Sequence, residues 1–527
     1  MVTLFEVNAA DVLLGASILL SCAFFVYGIN ILHLTRRSKR YTVPKSEEMS
    51  TKPTVAIHLP VYNELYVVER LVGSCVKVAS RYGKDLVRIC VIDDSSDETS
   101  KLLDELAGRY QSQGFKMSVL RRGERSGFKA GALQAALLTT EEEYIAVLDA
   151  DFVPPEDFLD RTVPFLQADP SVGFVQCRWG HLDRKYNLMT ESIAIGIDAH
   201  FLLEQQGRNS SHYLMNFNGS AGVLRKKAIT DAGGWAPDTL AEDLDVSYRM
   251  QLAGYRGVFV GDLEVPGELP PTISSLKRQQ GRWARGSLQT AKKLLRQIHG
   301  SKDLTRGQKI EADIHLTYYL VHPLMVASFL LAALAALLNV NVINYTVNVS
   351  LPDFTKGVGA NLTAGKVVLA SILIAPWIVF SVLVVLSTLS VLYYCTVAIR
   401  TQHLGLLANV KEILFLLVLG YGMSISNSVQ AFLGIFSKNT GTFKRTPKYA
   451  ITRKEGSWSE KQYQLPLNAT NLFEAGGIVL AVLAMARAIQ FSNFGILPIL
   501  GVYATGYAFV FGLTVKQTFS VKGSFER

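Results

Sequence analysis

The sequence predicts an integral membrane protein: an α/β domain with a parallel sheet, set between one N-terminal membrane helix and a C-terminal helical bundle. Three observations lead there. The apolar fraction is 49% and the mean hydropathy +0.22, both high for a soluble protein, and the excess lies in a few long runs. From about residue 50 to residue 280 the pattern changes to short β-rich runs alternating with helical segments. At Gln279-Gln280-Gly281-Arg282-Trp283 that soluble pattern gives way to membrane pattern. With 527 residues the chain has room for a soluble domain of about 250 residues plus a bundle.

Asp11 to Leu34 is about 24 residues without a charge after Asp11, enough to cross roughly 30 Å of hydrocarbon. No basic segment precedes it, so it is expected to be a retained anchor rather than a cleaved signal. The cluster Arg36-Arg37-Ser38-Lys39-Arg40 places the chain from residue 35 onward in the cytoplasm and the N-terminus outside. The expected division is an anchor at 1–40, a cytosolic domain at 41–300 and a membrane bundle at 301–527.

Within the cytosolic domain the β-rich runs are Val55–Leu59, Val87–Ile92, Lys116–Leu120, Tyr144–Leu148 and Gly173–Gln176. Strand, helix, strand order implies a parallel sheet, whose ligands collect beyond the carboxyl ends of the strands. Three polar clusters stand at such ends: Pro60-Val61-Tyr62-Asn63-Glu64, Asp93-Asp94-Ser95 and Asp149-Ala150-Asp151. Neither GxGxxG nor GxxxxGK[ST] is present, so a dinucleotide site and a P-loop are not supported.

Asp149 and Asp151 can share a hard divalent cation with the oxygens of a diphosphate, water filling the remaining positions. Lys129, in Gly127-Phe128-Lys129-Ala130-Gly131, offers a flexible cation in a glycine-flanked turn that can approach phosphate closely. Leu240-Ala241-Glu242-Asp243-Leu244-Asp245 opens a helical segment; acidic residues suit a helix start, and a carboxylate held there can also take a proton from a hydroxyl. Gln279-x-x-Arg282-Trp283 joins a fixed cation able to hold phosphate oxygens to an indole able to lie against a sugar ring. Arg285, Lys292, Lys293 and Arg296 come next, on a helical stretch expected to lie along the membrane surface, polar face toward headgroups.

Leu316–Leu338 and Val367 to about Leu392 read as spanning helices. The loop between them carries the sequons Asn344-Tyr345-Thr346, Asn348-Val349-Ser350 and Asn361-Leu362-Thr363, as suits an external loop. Glu412–Phe436 is apolar enough to span, yet spanning would put the basic stretch 438–461 outside. Its interruptions, Gly420, Gly422, Ser424, Ser426, Asn427 and Ser428, favour an interfacial or re-entrant helix. Leu472–Phe491 and Phe494–Val515 complete five spans and leave the basic tail Lys516–Arg527 inside.

The formal charge of +9 sits beside hydrophobic runs, as positive-inside bias requires, which argues against nucleic acid. Cys22, Cys75, Cys90, Cys177 and Cys395 lack metal spacing and read as free thiols, and His181, His200 and His212 read as structural.

Taken together, residues Thr54 to Thr290 resemble the inverting family 2 glycosyltransferases, and among them the membrane-embedded polysaccharide synthases. Those are cellulose synthase, hyaluronan synthase and, most closely, the plant cellulose-synthase-like mannan and glucomannan synthases. The resemblance rests on the strand-end carboxylates and Gln-x-x-Arg-Trp, and on four further stretches: Val175-Gln176-Cys177-Arg178-Trp179, Asn216 to Val223, Asp231-Ala232-Gly233-Gly234-Trp235 and Gly261 to Pro270.

It implies a GT-A (Rossmann-like) fold for the cytosolic domain. Tyr62, Glu64 and Asp93 would hold the nucleoside, Lys129 and Arg282 the diphosphate, and Asp149 and Asp151 the nucleotide and its Mg²⁺ or Mn²⁺. Asp243 would be the catalytic base; Trp283, with Gln279, would form the acceptor platform, and Phe217, Asn218 and Gly219 the acceptor-facing turn. Ala241 stands where the family's Thr-Glu-Asp motif has Thr, which puts acceptor-side contacts in question more than the base. Phe443-Lys444-Arg445-Thr446-Pro447-Lys448, within a loop at 438–462, resembles the Phe-x-Val-Thr-x-Lys gating loop of cellulose synthase, keeping Phe443, Thr446 and Lys448 but not Val.

The implied activity is processive synthesis of a β-linked glucan or mannan from UDP-glucose or GDP-mannose, with passage of the growing glycan through the bundle. The alternative is transfer of one sugar to a lipid acceptor. The implied setting is a cell membrane, or the Golgi in a eukaryote, amid membrane lipids. Because the chain closes about a dozen residues after its last apolar run, no cyclic-dinucleotide control in cis is expected.

Overall fold

Strands form where the β-rich runs lie: β1 Val55–Val61, β2 Val87–Asp93, β3 Lys116–Arg121, β4 Tyr144–Val147 and β5 Val172–His181. The computed structural model describes residues 9–45, 49–340, 376–443, 445–453, 455–458, 467 and 469–519. Alternate residues face opposite sides of the sheet. Val55, Ile57, Leu59, Ile89 and Val91 pack on one side against the helices Val68–Tyr82 and Phe158–Ala168. Cys90, Ile92, Ile145 and Val147 pack on the other against Phe128–Thr139 and Glu242–Leu252. With both faces covered, these strands are apolar on both sides, hence their continuous hydrophobic runs.

The sheet is mixed rather than purely parallel, a correction to the sequence-based expectation. Its seven strands run β3-β2-β1-β4-β6-β5-β7, where β6 is Gly222–Arg225 and β7 is Arg256–Gly267. β6 runs antiparallel to both β4 and β5, and β7 parallel to β5. With only four residues β6 is too short to show a period. The chain reverses into it through positive-φ residues Gly219 and Ala221.

Among the described residues five helices are long and apolar enough to cross a membrane: Val12–Ser38, Arg306–Leu337, Val382–Thr401, Ala469–Gln490 and Phe494–Phe519. Of the third expected span, Val367–Leu392, residues 376–392 lie in a helix Pro376–Thr401, and 367–375 lie outside the described residues. The sequons fall within 341–375 and the basic tail largely beyond 519, both outside the described residues. Glu412–Phe436 is a pair of helices, Leu407–Gly422 and Ser424–Phe436, bent by 50°. The hydroxyls of Ser424, Ser426 and Ser428 bond back to the carbonyls of Tyr421, Met423 and Ser424, a pattern that bends helices. At the break a Cβ on Gly422 would sit 2.3 Å from the carbonyl oxygen of Gly506, so only glycine allows this approach to the last helix.

The 28-residue helix Ile273–Gly300 joins the two halves. Thr272 caps it by accepting the Ser275 N–H. Three of the four basic residues expected to face headgroups have protein partners. Arg285 and Lys292 donate to the carbonyls of Asn439 and Ile435, while Lys293 pairs with Asp238 and Asp245. Cations are favoured there because the carbonyl end of the Ser424–Phe436 helix carries negative dipole charge.

Near the helix start, Lys277 reaches into the bundle, 2.8 Å from the buried Glu474 and 2.9 Å from Thr514. Among the described residues, Lys277→Met leaves that carboxylate with Asn471 as its hydrogen-bond donor at 3.1 Å. We expect it to cost about 3 kcal/mol of stability, read as a lowered unfolding midpoint in detergent. Adding Glu474→Gln should restore most of the loss; an unchanged midpoint for Lys277→Met would contradict the pairing.

Candidate active site

Above the carboxyl ends of β1, β4, β5 and β7 lies an open cleft of about 1130 Å³ including its mouth. It lies where ligands collect in α/β sheets. Of the residues singled out in the sequence, Tyr62, Glu64, Lys129, Asp149, Asp151, Asn218, Asp243, Gln279, Arg282 and Trp283 all line it, together with Phe443, Thr446 and Lys448. They come from positions spread over nearly 390 residues, brought together by the strand ends, the start of Glu242–Leu252 and one face of Ile273–Gly300.

Charge organises the floor. Lys129 Nζ lies 2.6 Å from Asp149 Oδ1 and 3.5 Å from Glu242 Oε1, and donates to the Gly219 carbonyl at 3.0 Å. Burial alone would lower the Lys129 pKa, but Asp149, Glu242 and Asp243 together raise it, so the ammonium is retained. Gly219, at φ +81°, is a glycine by necessity. A Cβ there would stand 2.5 Å from Asp243 Oδ2 and 3.3 Å from Lys129 Nζ.

Asp243 sits in the first turn of its helix and accepts the Leu244 N–H at 2.8 Å. Burial and the neighbouring Glu242 carboxylate push its pKa up to about 7, against the pull of Lys129 and Arg282. A carboxylate raised to that range suits a base working near neutrality. The base must be ionised, so activity is expected to hold above about pH 7 and to fall up to tenfold per unit below it. Glu242→Gln removes the repulsion and should move this acid limb to lower pH in a pH–rate profile.

Asp151 is almost fully buried; its Oδ2 accepts the Glu268 N–H at 2.9 Å and pairs with Lys448 at 2.8 Å, while Oδ1 has no hydrogen-bond partner. An orphaned carboxylate oxygen beside the partly exposed Asp149 fits a hard cation. Among the described residues no group of three or more His, Cys, Asp or Glu could hold a metal, so a divalent ion here would need ligand oxygens as well.

Phe443, Arg445, Thr446 and Lys448 also line this cleft. Lys448 holds Asp151, and Arg445 pairs with Glu64 at 2.9 Å. Burial raises the Glu64 pKa, against Arg445 and Lys448. Phe443 stacks on Phe128 at 6.3 Å, and the Arg282 guanidinium lies 4.7 Å from the Phe443 ring. The structural position of Lys444 lies outside the described residues.

Three expected residues stand elsewhere. Asp93 is buried behind the end of β2, held by Arg121 at 2.9 Å and the Ser95 N–H at 2.9 Å; Asp94 lines the cleft instead and pairs with Arg122. In an Asp-Asp pair leaving a strand, alternation turns one side chain under the sheet end, and sequence alone does not say which. Phe217 is fully buried against Gly222, so it supports the turn from below, and Gly219 contributes contact through its backbone. Sequence reasoning missed Arg125, Trp179, His181, Glu268 and Arg445 as lining residues. The Gly261–Pro270 stretch carried a signal for Glu268; Arg125 carried none.

The sequence of this chain matches the model of "Glycosyl transferase family 2" over residues 56–231 and that of "Glycosyl transferase family group 2" over residues 144–399. The two models together span residues 56–399, over the mixed sheet and the strand-end carboxylates, so the chain carries a family 2 glycosyltransferase domain. Its similar proteins include the probable glucomannan 4-beta-mannosyltransferase 7 of Oryza sativa subsp. japonica, 35% identical over 305 residues, 57% of this chain and 50% of the relative. Glucomannan 4-beta-mannosyltransferase 2 of Arabidopsis thaliana is 34% identical over 315 residues, 57% of this chain and 59% of the relative. The aligned parts thus span between half and three-fifths of those relatives. A solved mannosyltransferase from Pyrobaculum calidifontis, in complex with GDP-Man and Mn²⁺, matches with TM-score 0.47 and 22% identity, covering 73% of this chain and 97% of that one. TarS 1–349 from S. aureus matches with TM-score 0.36 and 14% identity, covering 54% and 86%.

Proposed function

We propose that this membrane glycosyltransferase is an inverting, processive synthase that polymerises a β-linked mannan or glucomannan from GDP-mannose on the cytosolic side and passes it through its own helices. The observation that carries the reading is the convergence, in one cleft at the foot of the bundle, of a raised carboxylate, a cation pair and an indole: Asp243, Lys129 with Arg282, and Trp283. The plant relatives named as mannosyltransferases support the sugar.

In this reading Asp243 takes the proton of the acceptor hydroxyl as its oxygen attacks the anomeric carbon from the face opposite the leaving group. An α-linked donor then gives a β-linkage. Lys129 and Arg282 neutralise charge growing on the departing diphosphate. A divalent ion, Mg²⁺ or Mn²⁺, held by Asp149 and Asp151 would add Lewis-acid stabilisation of the same charge. Trp283 holds the acceptor sugar flat at the mouth of the bundle, and Phe443, Thr446 and Lys448 form a lid that shuts water out during transfer.

The test is incubation of the purified protein with Mn²⁺ and labelled GDP-mannose, UDP-glucose or UDP-N-acetylglucosamine, followed by sizing with and without a β-mannanase. A long mannanase-sensitive polymer from GDP-mannose is expected. A single sugar on an extractable lipid would contradict processivity, and a polymer made only from a UDP-sugar would contradict the donor.

A further inference from the structure

Four arginines surround the ends of β1, β2 and β3, and three of them are spoken for by carboxylates. Arg121 holds Asp93 and Asp104, Arg122 holds Asp94, and Arg445 holds Glu64. The fourth, Arg125, lines the cleft from the loop between β3 and the Phe128–Thr139 helix. Its guanidinium carbon stands 3.4 Å from the centroid of the Tyr62 ring and 5.1 Å from that of Phe128. Its Nε is buried without a hydrogen-bond partner, and among the described residues it has no carboxylate within ion-pair distance. Desolvation lowers its pKa, the mark of a cation drawn partly out of water.

That arrangement restricts what Arg125 can bind. Contact with the Tyr62 ring at 3.4 Å covers one face of the guanidinium and leaves its edge, where N–H groups project as a planar fork, to meet a ligand. A planar fork on a rigid stack matches two adjacent acceptors in one plane.

Position narrows the choice between phosphate and base. The carboxylates suited to a diphosphate and its metal, Asp149 and Asp151, follow β4, and Lys129 reaches Asp149 from the Phe128–Thr139 helix; Tyr62 and Asp94 follow β1 and β2, nearer the β3 edge of the sheet. Arg125 belongs to that second group, where the nucleoside end of a nucleotide sugar falls if its diphosphate sits on the floor. Guanine presents O6 and N7 side by side as acceptors; adenine replaces O6 by an amino donor, and uracil has no such adjacent pair. We propose that Arg125 reads the O6/N7 edge of guanine and so selects GDP-sugars as donors. This rests on the donor assignment made under the proposed function and gives it a residue.

The test measures binding of GDP, IDP, ADP and UDP to the full-length protein in detergent with Mn²⁺, for the wild type, Arg125→Ala and Arg125→Lys. IDP keeps O6 and N7 but lacks the guanine amino group, so GDP and IDP should bind alike, and ADP and UDP roughly tenfold to a hundredfold more weakly. Both variants should bring GDP and IDP down to the ADP level and leave ADP and UDP within about twofold, because lysine keeps the charge but not the fork. Equal weakening of all four in Arg125→Ala, or full rescue by lysine, would overturn the proposal in favour of a phosphate contact. So would a wild type that binds ADP or UDP as tightly as GDP. Mannose transfer that keeps its GDP preference in Arg125→Ala would overturn this inference alone; failure of all four nucleotides to bind the wild type would overturn the donor reading with it.

Discussion

Asp243→Asn is expected to lower sugar transfer about a thousandfold while leaving affinity for GDP within about twofold of wild type. The substitution is nearly isosteric and keeps an oxygen to accept the Leu244 N–H, so the helix start should stand unchanged. What it removes is the capacity to take a proton at a position 2.5 Å from where a Cβ on Gly219 would lie, beside Lys129. It also removes one of the carboxylates that raise the Lys129 pKa, but Asp149 at 2.6 Å keeps that cation charged. The loss should therefore appear in kcat, with little change in the KM for donor. Turnover within tenfold of wild type would show that another group is the base.

Asp151→Asn is expected to lower transfer by about two to three orders of magnitude and to weaken Mn²⁺ binding at least tenfold. Asp151 is the better anchored of the two carboxylates, with one oxygen fixed by the Glu268 N–H and the other without a hydrogen-bond partner. Mn²⁺ binding can be followed by electron paramagnetic resonance with GDP present, independently of turnover. The partner substitution sharpens the test. Lys448 now lies 2.8 Å from Asp151 Oδ2, where its ammonium competes with a metal for the same charge. Lys448→Met should raise Mn²⁺ affinity when nucleotide is absent, yet slow transfer, because the lid loses its cation. Unaltered Mn²⁺ binding in Asp151→Asn would remove this carboxylate from the metal site.

Much of this site was legible in the sequence because an α/β sheet converts sequence order into geometry. Whatever leaves the carboxyl end of a buried strand faces the same crevice, so Tyr62, Glu64, Asp149 and Asp151 could be gathered before any contact was known. The choice between Asp93 and Asp94 was not legible, since adjacent residues at a strand end diverge and only the position of Arg121 and Arg122 decides which is held back. The antiparallel β6 escaped because four residues carry no period. Arg125 escaped for another reason. Its role depends on a stack with Tyr62, some sixty residues away in sequence, and no spacing rule links a loop arginine to a strand-end tyrosine.

The membrane half divides along similar lines. Hydropathy and length located the apolar runs, because bilayer thickness imposes them. They did not show that Lys292 and Arg285 would bond carbonyls in the last turn of the Ser424–Phe436 helix and just beyond it, because that depends on a partner about 150 residues away. Those bonds tie residues just ahead of the 443–448 segment to the same helix that carries Gln279, Arg282 and Trp283. Under the proposed function, the lid and the acceptor platform would thus both be tied to one helix.

The most direct test of synthesis coupled to passage uses proteoliposomes with the α/β domain outward, given labelled GDP-mannose and Mn²⁺ from outside. The expected result is a long β-linked polymer inside the vesicles, resistant to added β-mannanase until detergent opens them. Polymer digested fully without detergent, or label found only as single sugars on lipid, would contradict it.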